Sequence, residues 1–143
     1  MTTFTRQLAS LRQTGPILEV VIAEAPPAGD AVAWRAVALP KAVRVVAMID
    51  TGASVTAISS SVVQALDLHE AGLALVSTPA TTELVSMRQF KIAVTFPNGV
   101  RVVTYDVVEA ALGATVECLI GRDVLSAAAF LYDGRANDFT LGF

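Results

Sequence analysis

The chain has 143 residues, of which 54% are hydrophobic and 16% are charged, and its formal net charge is −3 at pH 7. This composition is typical of one folded domain with a real core and excludes a disordered chain. The ten Lys and Arg residues are scattered, so no basic stripe predicts nucleic-acid binding. A single cysteine and a single histidine exclude a disulfide framework and a Cys/His zinc site.

No stretch of the sequence predicts a membrane span. The longest stretch without a charged residue, 51–66, contains six Ser or Thr, whereas a spanning helix needs about 20 mostly apolar residues. The start of the sequence, 1–13, has no apolar core of the signal-peptide type. We therefore expect a soluble, cytoplasmic protein with no membrane partner, unless an anchor lies outside this sequence.

The first half of the chain begins with a polar stretch, 1–15, which we expect to be a loose arm or a short helix preceding the domain at 16–143. Runs of apolar and β-branched residues between Pro and Gly turn signals predict three strands, at 17–25, 31–39 and 43–49. A serine followed by apolar residues at helical spacing then predicts a short helix over 59–68.

After Gly72 the hydrophobic pattern alternates with a period of two, which predicts strands. The runs 73–78 and 83–96 flank the tip "PATT" and predict a hairpin. The remaining predicted elements are a strand at 100–110, a strand at 115–121, a short helix at 122–130 and a C-terminal hairpin over 130–143. The pattern as a whole predicts one mostly β domain with one or two short helices and no internal repeat.

The segment "AMIDTGASVTAI" carries the candidate chemistry, because a hydrophobic strand ends there at Asp50. A carboxylate held rigidly at the end of a buried strand suits general acid–base catalysis. Gly52 allows a tight turn and the close approach of a partner, and the hydroxyl of Thr51 can fix the loop. Asp and Gly are also common turn residues, so an ordinary strand-end turn is the alternative interpretation.

Hydrolysis of an amide bond needs two proton transfers that one carboxylate cannot carry out. A single group cannot both activate water and protonate the amide leaving group. Two carboxylates about 3 Å apart that share one proton can do both, because like charges so close together split their titrations.

Two motifs resemble those of a known family. "AMIDTGASVTAI" resembles the active-site turn of aspartic proteases, and "CLIGRDVL" (118–125) resembles the second landmark of their retropepsin-like branch, with a hairpin in between. The resemblance covers about 17–143 and implies a closed, barrel-like β fold with a flap. It is closer to cellular or bacterial members than to viral ones, and the many Ala and Arg residues are typical of a GC-rich bacterial source.

The resemblance also assigns roles to residues of the turn. By it, Asp50 is the catalytic aspartate, and Thr51 is the residue whose hydroxyl crosses to the turn of a partner subunit. Gly52 and Ala53 line the substrate beside the carboxylates. The supporting loop behind the turn is formed by Leu119, Ile120, Gly121 and Arg122, and the flap tip by Thr78, Pro79, Ala80, Thr81 and Thr82.

Pepsin-like enzymes carry two such turns in a chain of double length, whereas this sequence has one. The resemblance therefore implies a symmetric homodimer with one Asp50 from each subunit, a peptide or protein substrate, and neither metal nor cofactor. Terminal strands pair across the dimer in this family, and the apolar hairpin over 129–143 fits that role. A hairpin packed on its own core is the alternative.

The sequence departs from the retroviral pattern at three places, one of which is an insert at 24–40 that exceeds the compact retroviral pattern. Ser54 stands where retroviral enzymes usually hold an Asp that pairs with the arginine matched by Arg122, so Arg122 needs another carboxylate or a carbonyl. The flap tip lacks the glycines of retroviral flaps and contains Pro79, which fixes φ and removes a donor.

The predicted function is thus an aspartic endopeptidase that hydrolyses peptide bonds through an Asp50 dyad. The first alternative keeps the fold but not the chemistry: a catalytically inert peptide-binding or dimerisation module, which the glycine-free flap favours. The second alternative is an unrelated β domain in which Asp-Thr-Gly is only a turn.

Overall fold

The computed structural model describes residues 1–26, 41–80 and 82–143. The strand predicted at 31–39 and the flap residue Thr81 lie outside this part of the chain. The described residues form, in order, β1 (Thr3–Gln7), α1 (Leu11–Thr14), β2 (Ile17–Glu24), β3 (Ala42–Ile49), β4 (Ala57–Ile58), α2 (Ser60–Leu66), β5 (Gly72–Val76), β6 (Val85–Thr95), β7 (Arg101–Glu109), β8 (Cys118–Ile120), α3 (Arg122–Leu125), β9 (Ala129–Asp133) and β10 (Asp138–Gly142).

Six strands close into a barrel, as the sequence predicted. The larger sheet has the order β2-β3-β8-β4-β7-β6-β5, and β2 also pairs with β6, which joins the two sides. Most neighbours are antiparallel, but β8 runs parallel to β3, and β4 runs parallel to β7. Strand β5 remains outside the closed ring and pairs with β6 as the first arm of the predicted hairpin.

The barrel interior is filled by the apolar residues that alternate with polar ones along the strands. In β6, Phe90, Ile92 and Val94 are fully buried, and Lys91 between the first two is exposed. This is the pattern expected of a strand with one face on the core. Ala93, which pairs with Ala23 of β2, is also buried.

A second, three-stranded sheet packs against the barrel and has the order β1-β10-β9. We expected residues 1–15 to be a loose arm or a short helix; the structure has strand β1 there, followed by α1. Five residues of β1 pair with β10, which satisfies the backbone hydrogen-bonding groups on that side of the strand. The Phe4 ring lies 6.4 Å from the Phe96 ring, and Phe139 and Leu141 of β10 are fully buried.

The helices differ from expectation in number and length. The described part of the chain has three rather than one or two, because α1 forms within 1–15, where a short helix was one of the two expectations. Helix α3 ends at Leu125, although the sequence predicted helix to residue 130. Beyond the helix end, hydrogen bonds link residues three apart: the Ala127 N–H donates to the Val124 carbonyl at 3.3 Å, and the Ala128 N–H donates to the Leu125 carbonyl at 3.0 Å. The chain then enters β9, because pairing with β10 competes with the helix.

Phe139→Ala is expected to destabilise the protein by about 3–5 kcal/mol, because it leaves a cavity where the three-stranded sheet meets the core. Leu73→Ala is the control: Leu73 is 67% exposed, and its truncation should change stability by less than about 0.5 kcal/mol. Urea unfolding measures both. Equal losses in the two variants would show that this sheet does not pack on the core as described.

Candidate active site

Asp50 follows directly after β3 and is half-buried. Its backbone N–H donates to the Ile120 carbonyl at 2.9 Å, which ties the end of β3 to β8. Its carboxylate oxygen Oδ1 accepts from the Gly52 N–H at 2.9 Å, and its carbonyl accepts from the Ala53 N–H at 3.2 Å. Within the described residues, Oδ2 has no hydrogen-bond partner. The turn therefore orients one carboxylate oxygen and leaves the other available.

Strand β8 lies directly behind this turn, and Gly121 marks the point of closest approach. A Cβ at Gly121 would lie 2.5 Å from the carbonyl carbon of Val55 and 2.6 Å from its oxygen. Real Cβ atoms do not approach backbone so closely, so only glycine fits here. The Gly121 N–H also donates to Thr56 Oγ1 at 3.1 Å. The predicted apolar pair, Leu119 and Ile120, holds this position by pairing with β3.

Arg122 bonds to the active-site turn twice. Its backbone N–H donates to the Ala53 carbonyl at 2.9 Å, and its Nη1 donates to the Thr51 carbonyl at 2.8 Å. The guanidinium therefore has a carbonyl as its partner. This agrees with the expectation that Arg122 would bind another carboxylate or a carbonyl, because Ser54 cannot supply a carboxylate. The structure brings Asp50, Thr51, Ala53 and Arg122 together in one bonded unit.

Asp123 supports the candidate site through buried hydrogen bonds that the sequence analysis missed. Its Oδ1 accepts from Thr56 Oγ1 at 2.8 Å, and its Oδ2 accepts from Thr104 Oγ1 at 2.6 Å. Both threonines are buried, so each hydroxyl needs this partner. The sequence hinted at these hydrogen bonds only through an Asp next to Arg122 and through one Thr in each of two apolar runs. Pairing them required the fold, because they are far apart in the chain.

A cleft of about 250 Å³ separates the loop after Asp50 from the flap strand β5. Its lining is mostly small or apolar and is formed by Ser54, Val55, Ala74, Leu75, Val76, Ser77, Gln89, Asp106 and Val108. Among the predicted flap residues that the structure describes, Thr78, Pro79, Ala80 and Thr82, none lines this cleft. The flap therefore meets the cleft through its strand rather than through its tip.

Two polar pairs fix the base of the flap. Gln89 Nε2 donates to Asp106 Oδ1 at 3.1 Å within the cleft. Arg88 donates to both carboxylate oxygens of Glu109, at 2.6 and 2.8 Å. The Arg88 hydrogen bond holds the pKa of Glu109 below its ordinary value, with a smaller contribution from Ser60. Strands β6 and β7 are thereby joined by a fork-like ion pair at the point where the hairpin leaves the barrel.

The other candidate groups of the chain take no part in this site. Cys118 is fully buried, and burial raises the pKa of its thiol to about 12, so it is not ionised near neutral pH. His69 lies on the surface and bonds to Glu24 Oε1 at 2.9 Å. Among the described residues, no three His, Cys, Asp or Glu side chains are grouped to hold a metal ion. The helices in those residues are too short to cross a membrane.

Gly121→Ala is expected to reduce stability by at least the roughly 1–3 kcal/mol typical of overpacking, because the added methyl group meets backbone that cannot rotate away. Gly113→Ala is the control, since a Cβ there meets nothing within 4 Å. Chemical unfolding of both variants measures the difference. Similar stabilities would mean that β8 and the Val55 backbone are not in close contact.

A comparison with family models identifies one family. The profile of the aspartyl protease family matches residues 38–124, whereas a search of curated proteins finds no match. A retropepsin-like aspartic protease from Rickettsia conorii has a similar solved structure, with 20% identity, coverage of 87% of this chain and 90% of that one, and a TM-score of 0.50.

The EIAV protease complexed with the inhibitor HBY-793 is also similar, with 13% identity, coverage of 78% of this chain and 86% of that one, and a TM-score of 0.50. At these identities the likeness concerns the fold, which is the retropepsin fold that the sequence predicted. The family match spans more than half of the chain and includes both the Asp50 turn and Arg122. The chain belongs to the aspartyl protease family.

Proposed function

We propose that the protein is an aspartic endopeptidase whose active form is a homodimer with one Asp50 from each subunit. The observation that carries the proposal is the geometry of Asp50. Its Oδ1 is held by the Gly52 N–H, and the turn is fixed from behind by β8 and Arg122. A carboxylate so positioned meets the rigidity that acid–base catalysis requires, and one chain supplies only half of a dyad.

The proposed mechanism uses two Asp50 carboxyl groups in different protonation states. The ionised group accepts a proton from water as the water oxygen attacks the peptide carbonyl carbon, and the neutral group donates its proton to the carbonyl oxygen. The carboxyl group that took the proton from water then gives it to the amide nitrogen, and the other carboxylate takes back a proton from a hydroxyl of the tetrahedral intermediate. The C–N bond cleaves to give a carboxylic acid and an amine, and the dyad returns to its starting state. No covalent bond to the enzyme forms. Because one neutral and one ionised group are needed, we expect activity in the acid to mildly acid range.

The proposed substrate is an extended peptide that lies between the Asp50 turn and the flap. The cleft along β5 supports this, because its small and apolar lining can accept side chains of moderate size. Asp106 is the one acidic residue in that lining. We therefore infer that the subsite beside Ser54 and Val55 favours a residue with a basic tip.

Asp50→Asn is expected to lower peptide cleavage by at least about 100-fold, because an amide cannot exchange the proton that the mechanism requires. Asp67→Asn is the matched control. Asp67 is exposed and has a left-handed φ of 50°, which Asn tolerates, so its activity should equal that of the wild type. Cleavage of a diverse peptide mixture between about pH 3 and pH 7 measures both. Equal cleavage by Asp50→Asn and wild type would remove Asp50 from the mechanism.

Dependence on enzyme concentration separates the protease from the inert-module alternative. In dilute solution the specific activity of a dimeric enzyme should fall as subunits separate. The inert module, which the glycine-free tip with Pro79 favours, predicts no cleavage by the wild type at any concentration, although peptide binding or self-association persists.

Asp106→Asn is expected to reduce the preference for Lys or Arg over Leu at one substrate position by about two- to fivefold, the effect of an exposed ion pair. Glu83→Gln, which removes an exposed carboxylate outside the cleft lining, should leave that preference unchanged. Ratios of kcat/KM for paired peptides provide the measurement. An unchanged ratio in Asp106→Asn would show that the substrate does not contact this part of the cleft.

A further inference from the structure

We propose that the protein has a second binding site, a groove between β1 and β2 that takes an extended acidic segment of another protein as an added β-strand. This β1–β2 groove has a volume of about 430 Å³ and is lined by 4–6 of β1, 18–21 of β2, Arg44 of β3 and 95–97 at the end of β6. It shares no lining residue with the cleft beside the Asp50 loop. The proposal goes beyond the proposed function and does not depend on it.

Strand β2 has an open edge at the groove. In the described part of the chain it pairs with β6 only from Val21 onward, because the chain turns after Thr95. The backbone N–H and C=O groups of successive residues in an antiparallel strand point to opposite sides. The Pro16 carbonyl accepts from the N–H of Ile49 in β3, so the backbone groups of Glu19, three residues later, point away from β3. Glu19 therefore offers one donor and one acceptor to the groove.

Strand β1 has an open edge on the other wall. On the side of β10, the N–H groups of Thr2 and Leu8 donate to backbone carbonyls at 2.8 and 2.9 Å. Thr5 is three residues from each, so its backbone groups point to the opposite side of β1. No strand among the described residues lies there, and Thr5 lines the groove. Both walls thus offer the backbone groups that β-strand addition requires.

Arginine side chains make the groove positive. Arg6 and Arg44 line it together with one acidic residue, Glu19. Arg44 Nη1 lies 3.8 Å from Glu19 Oε2, and both side chains are exposed, so this ion pair is weak. No carboxylate among the described residues pairs with Arg6. A third guanidinium lies beside the lining, since Arg101 Nε donates to Thr95 Oγ1 at 3.2 Å.

An acidic peptide is the ligand whose chemistry matches these features. The two strand edges select a peptide main chain, which alone carries alternating N–H and C=O groups. Guanidinium groups bind carboxylates through paired, charge-assisted hydrogen bonds. Phe4 and Phe96, whose ring centres are 6.4 Å apart, add apolar surface to the lining. The preference is opposite to that inferred for the cleft beside the Asp50 loop, where the acidic lining residue is Asp106.

Peptide binding to the Asp50→Asn protein, measured by fluorescence anisotropy, tests the proposal in the absence of cleavage. The probe is a short labelled peptide in which Glu alternates with Thr, and its matched control has Gln in place of each Glu. The Glu peptide should bind at least about 10-fold more tightly, and added salt should reduce the difference. Equal binding of the two peptides, or binding of neither, would overturn the proposal.

Substitution of the arginines locates the binding. Arg6→Gln and Arg44→Gln should each weaken binding of the Glu peptide by at least about threefold. Arg12→Gln is the matched control, because Arg12 is exposed in α1 and lies outside the groove lining. It should leave the affinity unchanged. Equal losses in all three variants would indicate general attraction by positive charge and would contradict a site in the groove.

N-methylation of alternate amides in the Glu peptide tests the added strand. It removes backbone donors but keeps every side-chain charge, so binding should weaken by at least about 10-fold. Unchanged binding would reject strand addition. A single-stranded oligonucleotide that displaces the probe at a lower concentration than unlabelled Glu peptide would assign the groove to nucleic acid and overturn the proposal.

Sedimentation distinguishes another protein from a second copy of this chain as the occupant. Arg6→Gln and Arg44→Gln should leave self-association unchanged; a loss of self-association without a loss of peptide binding would overturn the proposal. The proposed function is decided separately. Binding of the Glu peptide to a protein that cleaves nothing would support the groove and reject the protease, whereas Asp50-dependent cleavage with no selective binding of the Glu peptide would do the reverse.

Discussion

The close contact between Gly121 and the backbone of Val55 is the constraint on which the site depends. At this point β8 passes behind the loop that follows Asp50, and no side chain fits between the two segments. The same crossing lets the Asp50 N–H reach the Ile120 carbonyl and the Arg122 N–H reach the Ala53 carbonyl. Backbone hydrogen bonds to β8 and to the start of α3 therefore hold the turn. The position of the Asp50 carboxylate is set by these bonds.

Buried polar groups make this crossing specific. Asp123 accepts hydrogen bonds from Thr56 and Thr104, which belong to the active-site loop and to β7. Thr56 in turn accepts from the Gly121 N–H. Among the described residues, no buried side-chain polar atom lacks a partner. Because an unpaired buried hydroxyl costs free energy, alternative arrangements of β8 against this loop are penalised. This hydrogen-bond network therefore fixes the position of the Gly121 segment next to the Asp50 turn.

Strand pairing organises the part of the chain that the structure describes. Strands β2 and β6 close the barrel, and β10 lies between β1 and β9. The proposed chemistry needs a second carboxylate, because the sequence has only one Asp-Thr-Gly turn. Among the described residues, the cleft beside the Asp50 loop is lined by β5 and not by the flap tip.

The sequence alone was enough to predict a mostly β fold, the strands β2, β3, β6 and β7, and the motif around Asp50, because alternation and turn residues are local signals. It also indicated the family through two short motifs. Two features needed the tertiary structure: the Asp123 partners and the pairing of β1 with β10. Each arises from pairing between segments far apart in the chain. A single polar residue or a short polar strand does not reveal its partner until the barrel has closed and the two segments lie side by side.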